Sequence, residues 1–114
     1  MGAFTVGDVV LLPFPFSDLS RSKKRPALVL GDAGRNDWLC LQITSQAYGD
    51  EAAIPLTEED YASGSLQRDS FIRPGKLFTA HDSLFIRNIA RVQADKISEV
   101  RAVIVRFIQN GSLT

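Results

Sequence analysis

The chain has 114 residues, 45% of them hydrophobic and 23% charged, and its 13 basic and 13 acidic side chains cancel. This fits one domain over residues 1–114 that can bury roughly two thirds of its unfolded surface, and it excludes a disordered or strongly cationic chain. One cysteine and one histidine exclude a disulfide scaffold and a zinc finger, no apolar run approaches the ~18 residues of a membrane span, and no secretory signal is visible, so the expected compartment is the cytoplasm.

Val9 to Phe16 (VVLLPFPF) is rich in β-formers and too short for a helix. Pro13 and Pro15 place two missing N–H groups on one side, which predicts an edge, a strand end or a bulge. Ser17 to Lys24 reads as a polar loop. Arg25 to Leu30 (RPALVL) is a second strand, with Pro26 near its start. Gly31 to Asp37 has turn chemistry and joins it to a third strand, Trp38 to Thr44. There Leu39, Leu41 and Ile43 are expected toward the core, with Trp38, Cys40 and Gln42 on the other face.

Ala53 to Leu56 is a short strand, followed by Thr57-Glu58-Glu59-Asp60, which resembles a capping box opening a helical turn. Ser70 to Ile72 and Lys76 to Ala80 read as two strands around a Pro74-Gly75 turn. Ile89 to Val92 is the last strand. Ile97, Val100, Val103, Ile104, Phe107 and Ile108 then recur at helical spacing, with Asp95 as N-cap and Gly111 as stop. The sum is a mainly β domain: six or seven antiparallel strands curved into a partial barrel, with an amphipathic C-terminal helix packed on the sheet.

Charge is unevenly spread along the chain. Four of the five residues from Arg21 to Arg25 are basic, while Asp50 to Asp60 holds five acids and no base. Arg68, Arg73, Lys76, Arg87 and Arg91 follow. A neutral total therefore still permits a basic face.

Several chemistries are excluded. His81 is the only histidine, so one subunit cannot supply a two-histidine acid–base pair. Cys40 lies in an apolar strand and reads as a small buried hydrophobe. Gly31-x-x-Gly34 is a turn and no phosphate-binding glycine motif exists. Glu58 to Asp60 are explained by a first helical turn, so neither metal nor cofactor is expected. What remains is Arg25, flanked by Lys23 and Lys24, and the strand-end triplet Thr44-Ser45-Gln46. Arginine offers a planar fork that suits phosphate, and the hydroxyls can donate to phosphate oxygens.

The run Gly7-Asp8-Val9-Val10-Leu11, a polar loop, Arg25-Pro26-Ala27-Leu28-Val29-Leu30 and then Ile43-Thr44-Ser45-Gln46 resembles the start of the MazF/PemK toxin family, which carries a T-x-Q-like element at the end of its third strand. Lys76-Leu77-Phe78 and the helix from Asp95 resemble its second half more loosely. The resemblance implies an SH3-like barrel, a homodimer, and the toxin of a type II toxin-antitoxin system. It also implies a metal-independent, sequence-specific endoribonuclease that cuts single-stranded RNA (an mRNA interferase), and an antitoxin whose tail covers the active site. By the same resemblance Arg25 is the catalytic arginine and Thr44 the catalytic threonine. The Ser17 to Lys24 loop departs from the family's usual pattern, so the cleavage motif does not carry over.

The implied chemistry is attack by the ribose 2′-hydroxyl on the adjacent phosphorus, with Arg25 and Thr44 stabilising the phosphorane charge. Arginine is a poor base at neutral pH, so the base is unassigned, His81 being a lesser candidate. Lys23, Lys24 and Lys76 are expected on phosphates, Ser45 and Gln46 on base edges, and Arg73 on the same basic face. The acidic stretch should lie away from the RNA. The alternatives are a CcdB-like DNA gyrase poison, a non-catalytic RNA-binding barrel and a pure interaction module. The first expects a tryptophan near the C-terminus, whereas the only tryptophan is Trp38.

Overall fold

A computed structural model describes residues 4–15, 22–47 and 49–114. Its strands are β1 (Asp8–Pro15), β2 (Ser22–Gly34), β3 (Asp37–Thr44), β4 (Ile54–Leu56), β5 (Tyr61–Gly64), β6 (Ser70–His81) and β7 (Arg87–Val92), followed by helix α1 (Ala94–Asn110). The seven strands form one antiparallel sheet in the order β4-β6-β3-β2-β1-β7-β5, curled into a half-barrel as expected. Among the described residues no helix is long and apolar enough to cross a membrane.

The prolines of β1 obey the missing-donor rule. Strand β7 pairs only with Asp8 to Leu11, so Pro13 and Pro15 lie past its reach while still opposite Lys24 and Ser22 of β2. The strand itself is interior, and only its end is unpaired on one side. Strand β2 starts earlier than expected: Ser22, Lys23 and Lys24 belong to it rather than to a loop, because β1 holds them in register. Residues 17–21 of that loop lie outside the described residues. The turn into β3 is tight, with Gly34 opposite Asp37 and positive φ at both Arg35 (57°) and Asn36 (66°), the pairing a two-residue primed turn requires.

The half-barrel has two apolar clusters because the central strands are buried on both faces. Val9, Leu28, Leu41, Ile43 and Ile72 build the main core, which α1 covers with Ile97, Val100 and Ile104. Val10, Leu12, Ala27, Val29, Trp38 and Cys40 build a second cluster on the opposite face, with Phe85 and the partly buried Phe4, Phe14 and Phe78. Leu41 and Ile43 thus face the main core as expected, but the Trp38 and Cys40 face is buried as well. An alternating strand shows two faces without saying that only one is covered.

Strand β6 is one strand, not two around a turn. Opposite β3 it takes five residue steps, Ile72 to Leu77, where β3 takes the two from Leu41 to Ile43. Pro74-Gly75 lies inside this irregularity, where a missing ladder donor is tolerated. Strand β5, which the sequence did not reveal, closes against β7. The approach is so tight that a Cβ on Gly64 (φ +65°) would sit 2.6 Å from the Ile89 carbonyl oxygen.

The Thr57 turn forms over Glu58–Asp60, with the Thr57 N–H donating to the Asp60 carboxylate at 2.8 Å. Helix α1 stops at Gly111 in the left-handed conformation (φ 75°), as read from the sequence. Its N-cap is Gln93 rather than Asp95. The Gln93 side-chain amide donates to the carbonyls of Glu59 and Tyr61, tying the helix start to the preceding segment. Asp95 falls in the first turn, where its charge faces the positive end of the helix. Buried Lys96 completes the junction, donating to the Pro55 carbonyl at 3.0 Å and pairing with Glu99 and Asp60.

Candidate active site

Three elements meet at one end of the half-barrel around an open cleft of about 220 Å³. Adjacent strands β2 and β3 bring Arg25 and Thr44 there. Their register, continued two residues past the Ala27–Gln42 pair, sets Arg25 abreast of Thr44, and both line the cleft. Arg25 pairs with buried Leu12 of β1, which belongs to the second apolar cluster, and lines the cleft beyond it. Lys23 and Lys24 line the same cleft from β2, and Ser45 lines it just past the end of β3. The third wall is the approach to β6, with Leu66, Arg68 and buried Ser70.

Among the described residues, four basic side chains and three hydroxyls line this cleft, and no carboxylate does. Arg25 and Thr44 are half-buried, whereas Lys23, Lys24 and Arg68 are exposed. The Thr44 hydroxyl donates to the Gln46 carbonyl at 3.0 Å and accepts from the Gln46 N–H at 3.1 Å. This local turn fixes the hydroxyl at the strand end. Such a cleft suits a phosphodiester: a guanidinium fork, a fixed hydroxyl and flanking cations.

The other residues singled out from the sequence lie outside the cleft. Gln46 lines a neighbouring depression with Ser45, Asp50 and Phe71. Lys76 lines another with Phe14, Gln42 and Phe78, whose two rings meet edge to face at 5.0 Å. Arg73 donates through Nε to Asp50 at 2.9 Å and through Nη1 to Gln42 at 3.4 Å. Asp50 of the acidic stretch therefore pairs with Arg73, a residue expected on the basic face.

Arg68 is the residue that sequence reasoning missed at this site. It stood out only as one of several bases after the acidic stretch, and nothing local showed that the loop between β5 and β6 turns back to β3.

His81 does not line the cleft. Its Nδ1 accepts from the Ser83 N–H at 3.1 Å and lies 2.9 Å from the Ser83 hydroxyl and 3.9 Å from Asp82, so it caps the short turn Asp82–Leu84. Serine and carboxylate both approach the same ring nitrogen, so this is no nucleophile–base–acid relay, which needs one on each. Cys40 is fully buried, and desolvation pushes its thiol up to about 12. It is a core residue, not a nucleophile. Among the described residues no three His, Cys, Asp or Glu side chains gather to hold a metal ion.

The fold and cleft define a small half-barrel with a cationic, hydroxyl-lined mouth. The profile described as PemK-like, MazF-like toxin of type II toxin-antitoxin system matches residues 5–108, and the chain belongs to that family. Comparison with curated proteins found no match. Among solved structures, a chain of a MazE–MazF crystal structure from Deinococcus radiodurans superposes with a TM-score of 0.73 at 22% identity, covering 96% of this chain and 98% of that one. An endoribonuclease from a mycobacterial species gives a TM-score of 0.68 at 13% identity, covering 96% and 94%. A mycobacterial endoribonuclease in complex with its cognate antitoxin gives 0.63 at 12% identity, covering 96% of each chain. At these identities the superpositions establish a shared fold.

Proposed function

We propose that this toxin is a metal-independent endoribonuclease that cuts single-stranded RNA at short sequences. It would act in the cytoplasm as a homodimer, held in check by a cognate antitoxin. The observation that carries the reading is the cleft in which Arg25 and Thr44 stand together among Lys23, Lys24 and Arg68, with no carboxylate among the described residues that line it. Family membership and the endoribonuclease neighbours support it. The antitoxin is supported by the MazE–MazF and endoribonuclease–antitoxin complexes among those neighbours.

In the proposed reaction the ribose 2′-oxygen attacks the adjacent phosphorus and loses its proton. The O2′–P bond forms, the P–O5′ bond breaks, and the 5′-oxygen takes up a proton. The products are a 2′,3′-cyclic phosphate and a 5′-hydroxyl. The nucleophile belongs to the substrate, so the protein must orient it and stabilise charge on the phosphorane. Arg25 is the bidentate donor to the equatorial oxygens, and the Thr44 hydroxyl, keeping its proton, turns its hydrogen bond from the Gln46 carbonyl to a phosphorane oxygen. Lys23, Lys24 and Lys76 contact flanking phosphates, and Ser45 and Gln46 face base edges. Arg73, its charge balanced by Asp50, offers a remaining guanidinium N–H at the rim.

The test is cleavage of a long unstructured RNA by folded, antitoxin-free protein in excess EDTA, with the ends mapped. Discrete cuts carrying 5′-hydroxyl ends, lost in Arg25→Ala and Thr44→Ala, are expected. Intact RNA across several sequences would overturn the assignment.

A further inference from the structure

The cleft has an arginine on the side of β3 away from Arg25. In the sheet order β6-β3-β2, Arg25 comes from β2, Thr44 and Ser45 follow from the end of β3, and Arg68 stands two residues before β6. A strand of nucleic acid laid across this end of the sheet therefore meets Lys23 and Arg25, then the hydroxyls, then Arg68.

The loop that carries Arg68 is braced on both sides of it. The Ser65 hydroxyl donates to the Glu58 carboxylate and accepts from the Gln67 N–H at 2.7 Å. The Leu66 N–H donates to the hydroxyl of buried Tyr61 at 3.4 Å, and the Ser70 hydroxyl donates to the Arg68 carbonyl at 3.2 Å. Gln67 holds a left-handed backbone (φ 61°), which these contacts stabilise. The backbone is thus placed in advance while the side chain stays exposed. The Arg68 guanidinium makes no ion pair with any described residue, in contrast to Arg73, which Asp50 engages.

We propose that Arg68 forms a second phosphate subsite, binding the phosphodiester next to the one that Arg25 and Thr44 engage. This rests on the ribonuclease reading above. An arginine fork held on a braced loop binds phosphate with little further ordering, and it fixes which way the backbone crosses the cleft.

The test is the salt dependence of binding to a mixed-sequence, single-stranded 2′-fluoro RNA, which lacks the attacking hydroxyl. Each phosphate contact on a single strand contributes about 0.7 to the slope of log affinity against log salt. Arg68→Ala is expected to lower the slope by about that amount and to weaken binding several-fold at low salt. Arg68→Lys is expected to keep the slope. Arg106→Ala, on an exposed position of α1, loses the same charge and should change neither. A slope for Arg68→Ala equal to the parent's, with the parent binding and cleaving RNA, overturns the subsite and leaves the nuclease intact. A parent that neither binds nor cleaves RNA overturns both.

Discussion

Replacing Thr44 with valine separates two jobs of one hydroxyl. The substitution keeps the β-branched shape that suits a strand end and removes only the donor and acceptor. In the resting protein the hydroxyl makes two hydrogen bonds with the Gln46 backbone. Gln46 is exposed, so water replaces both. The expected stability loss is at the low end for a hydrogen bond, about 0.5–1 kcal/mol, or roughly 4 °C in Tm for a chain of this size. Removing one preorganised donor to a transition-state oxyanion costs far more, about 10²–10³ in rate, equivalent to ~2.7–4 kcal/mol. Single-turnover cleavage and thermal unfolding, measured on the same preparations, should therefore diverge. Thr44→Val loses at least a hundredfold in rate while its Tm falls by only about 4 °C, and Thr44→Ser recovers most of the rate. A Thr44→Val protein that cleaves within about threefold of the parent would refute the donor role. A rate loss matched by collapse of the fold would reassign Thr44 to structure alone.

Arg25→Lys keeps the charge and loses the fork, so a rate loss of about a hundredfold with near-parental RNA binding is expected from cleavage and titration side by side. Gly64→Ala should destabilise by ~2 kcal/mol or more in urea unfolding, since the new Cβ meets the Ile89 carbonyl at 2.6 Å from a left-handed backbone. Cys40 should resist thiol reagents until the protein unfolds, because it is fully buried. Its raised pKa also has a sign for stability. Below pH 9 the thiol is protonated in both states. Between the ordinary thiol value of 9.0 and about 12 it ionises only when unfolded, so stability falls as pH rises, by up to about 1.4 kcal/mol per unit. Tyr61, raised chiefly by burial and further by Glu58 and Asp60, acts in the same direction. Urea midpoints for Cys40→Ala and the parent should converge between pH 9 and 11.

The parts of the fold legible from the sequence were those that short-range rules determine. The hairpin of β2 and β3 announced itself through turn residues, and α1 through its period and Gly111. The irregular part of β6 was not legible, since Pro-Gly signals a turn unless a neighbouring strand forces the chain to continue. Nor was the second cluster, because Val9-Val10 and Leu28-Val29 give each strand two apolar faces and only tertiary packing says what covers them.

The Gly7-Asp8 pair illustrates how a motif can carry a family likeness and yet serve folding. Gly7 adopts φ 99° and bridges β2 and β7, its N–H donating to Val29 and its carbonyl accepting from Val92, both at 2.9 Å. Asp8 is fully buried, accepts the Thr5 N–H at 2.9 Å, and lies 3.2 Å from the Arg91 guanidinium. These residues hold the sheet together at a distance from the cleft. Arg25 and Thr44, in contrast, were legible as phosphate-binding types, and the β2–β3 register supports their pairing. Arg68 was not, because its place depends on a loop return between strands the sequence did not reveal.

A chain with a sequence pI near 6.6 looks like a poor partner for a polyanion, and the structure explains why that inference fails. Charges act over about a Debye length, roughly 8–10 Å at physiological salt, so the local sum matters and the total does not. Here several acids meet bases elsewhere: Asp50 with Arg73, Asp8 with Arg91, and Asp60 and Glu99 with Lys96. The Asp50–Arg73 and Asp8–Arg91 pairs are neutral at long range, and the Lys96 triad is net negative. Among the described residues the cleft of Arg25 and Thr44 is lined by four bases and no acid, so these side chains set a cationic field there. Neutrality of the whole is therefore the sum of a cationic mouth and an acidic remainder. A polyanion is selected by where it lands, and the salt dependence of binding should follow the cleft cations and not the net charge.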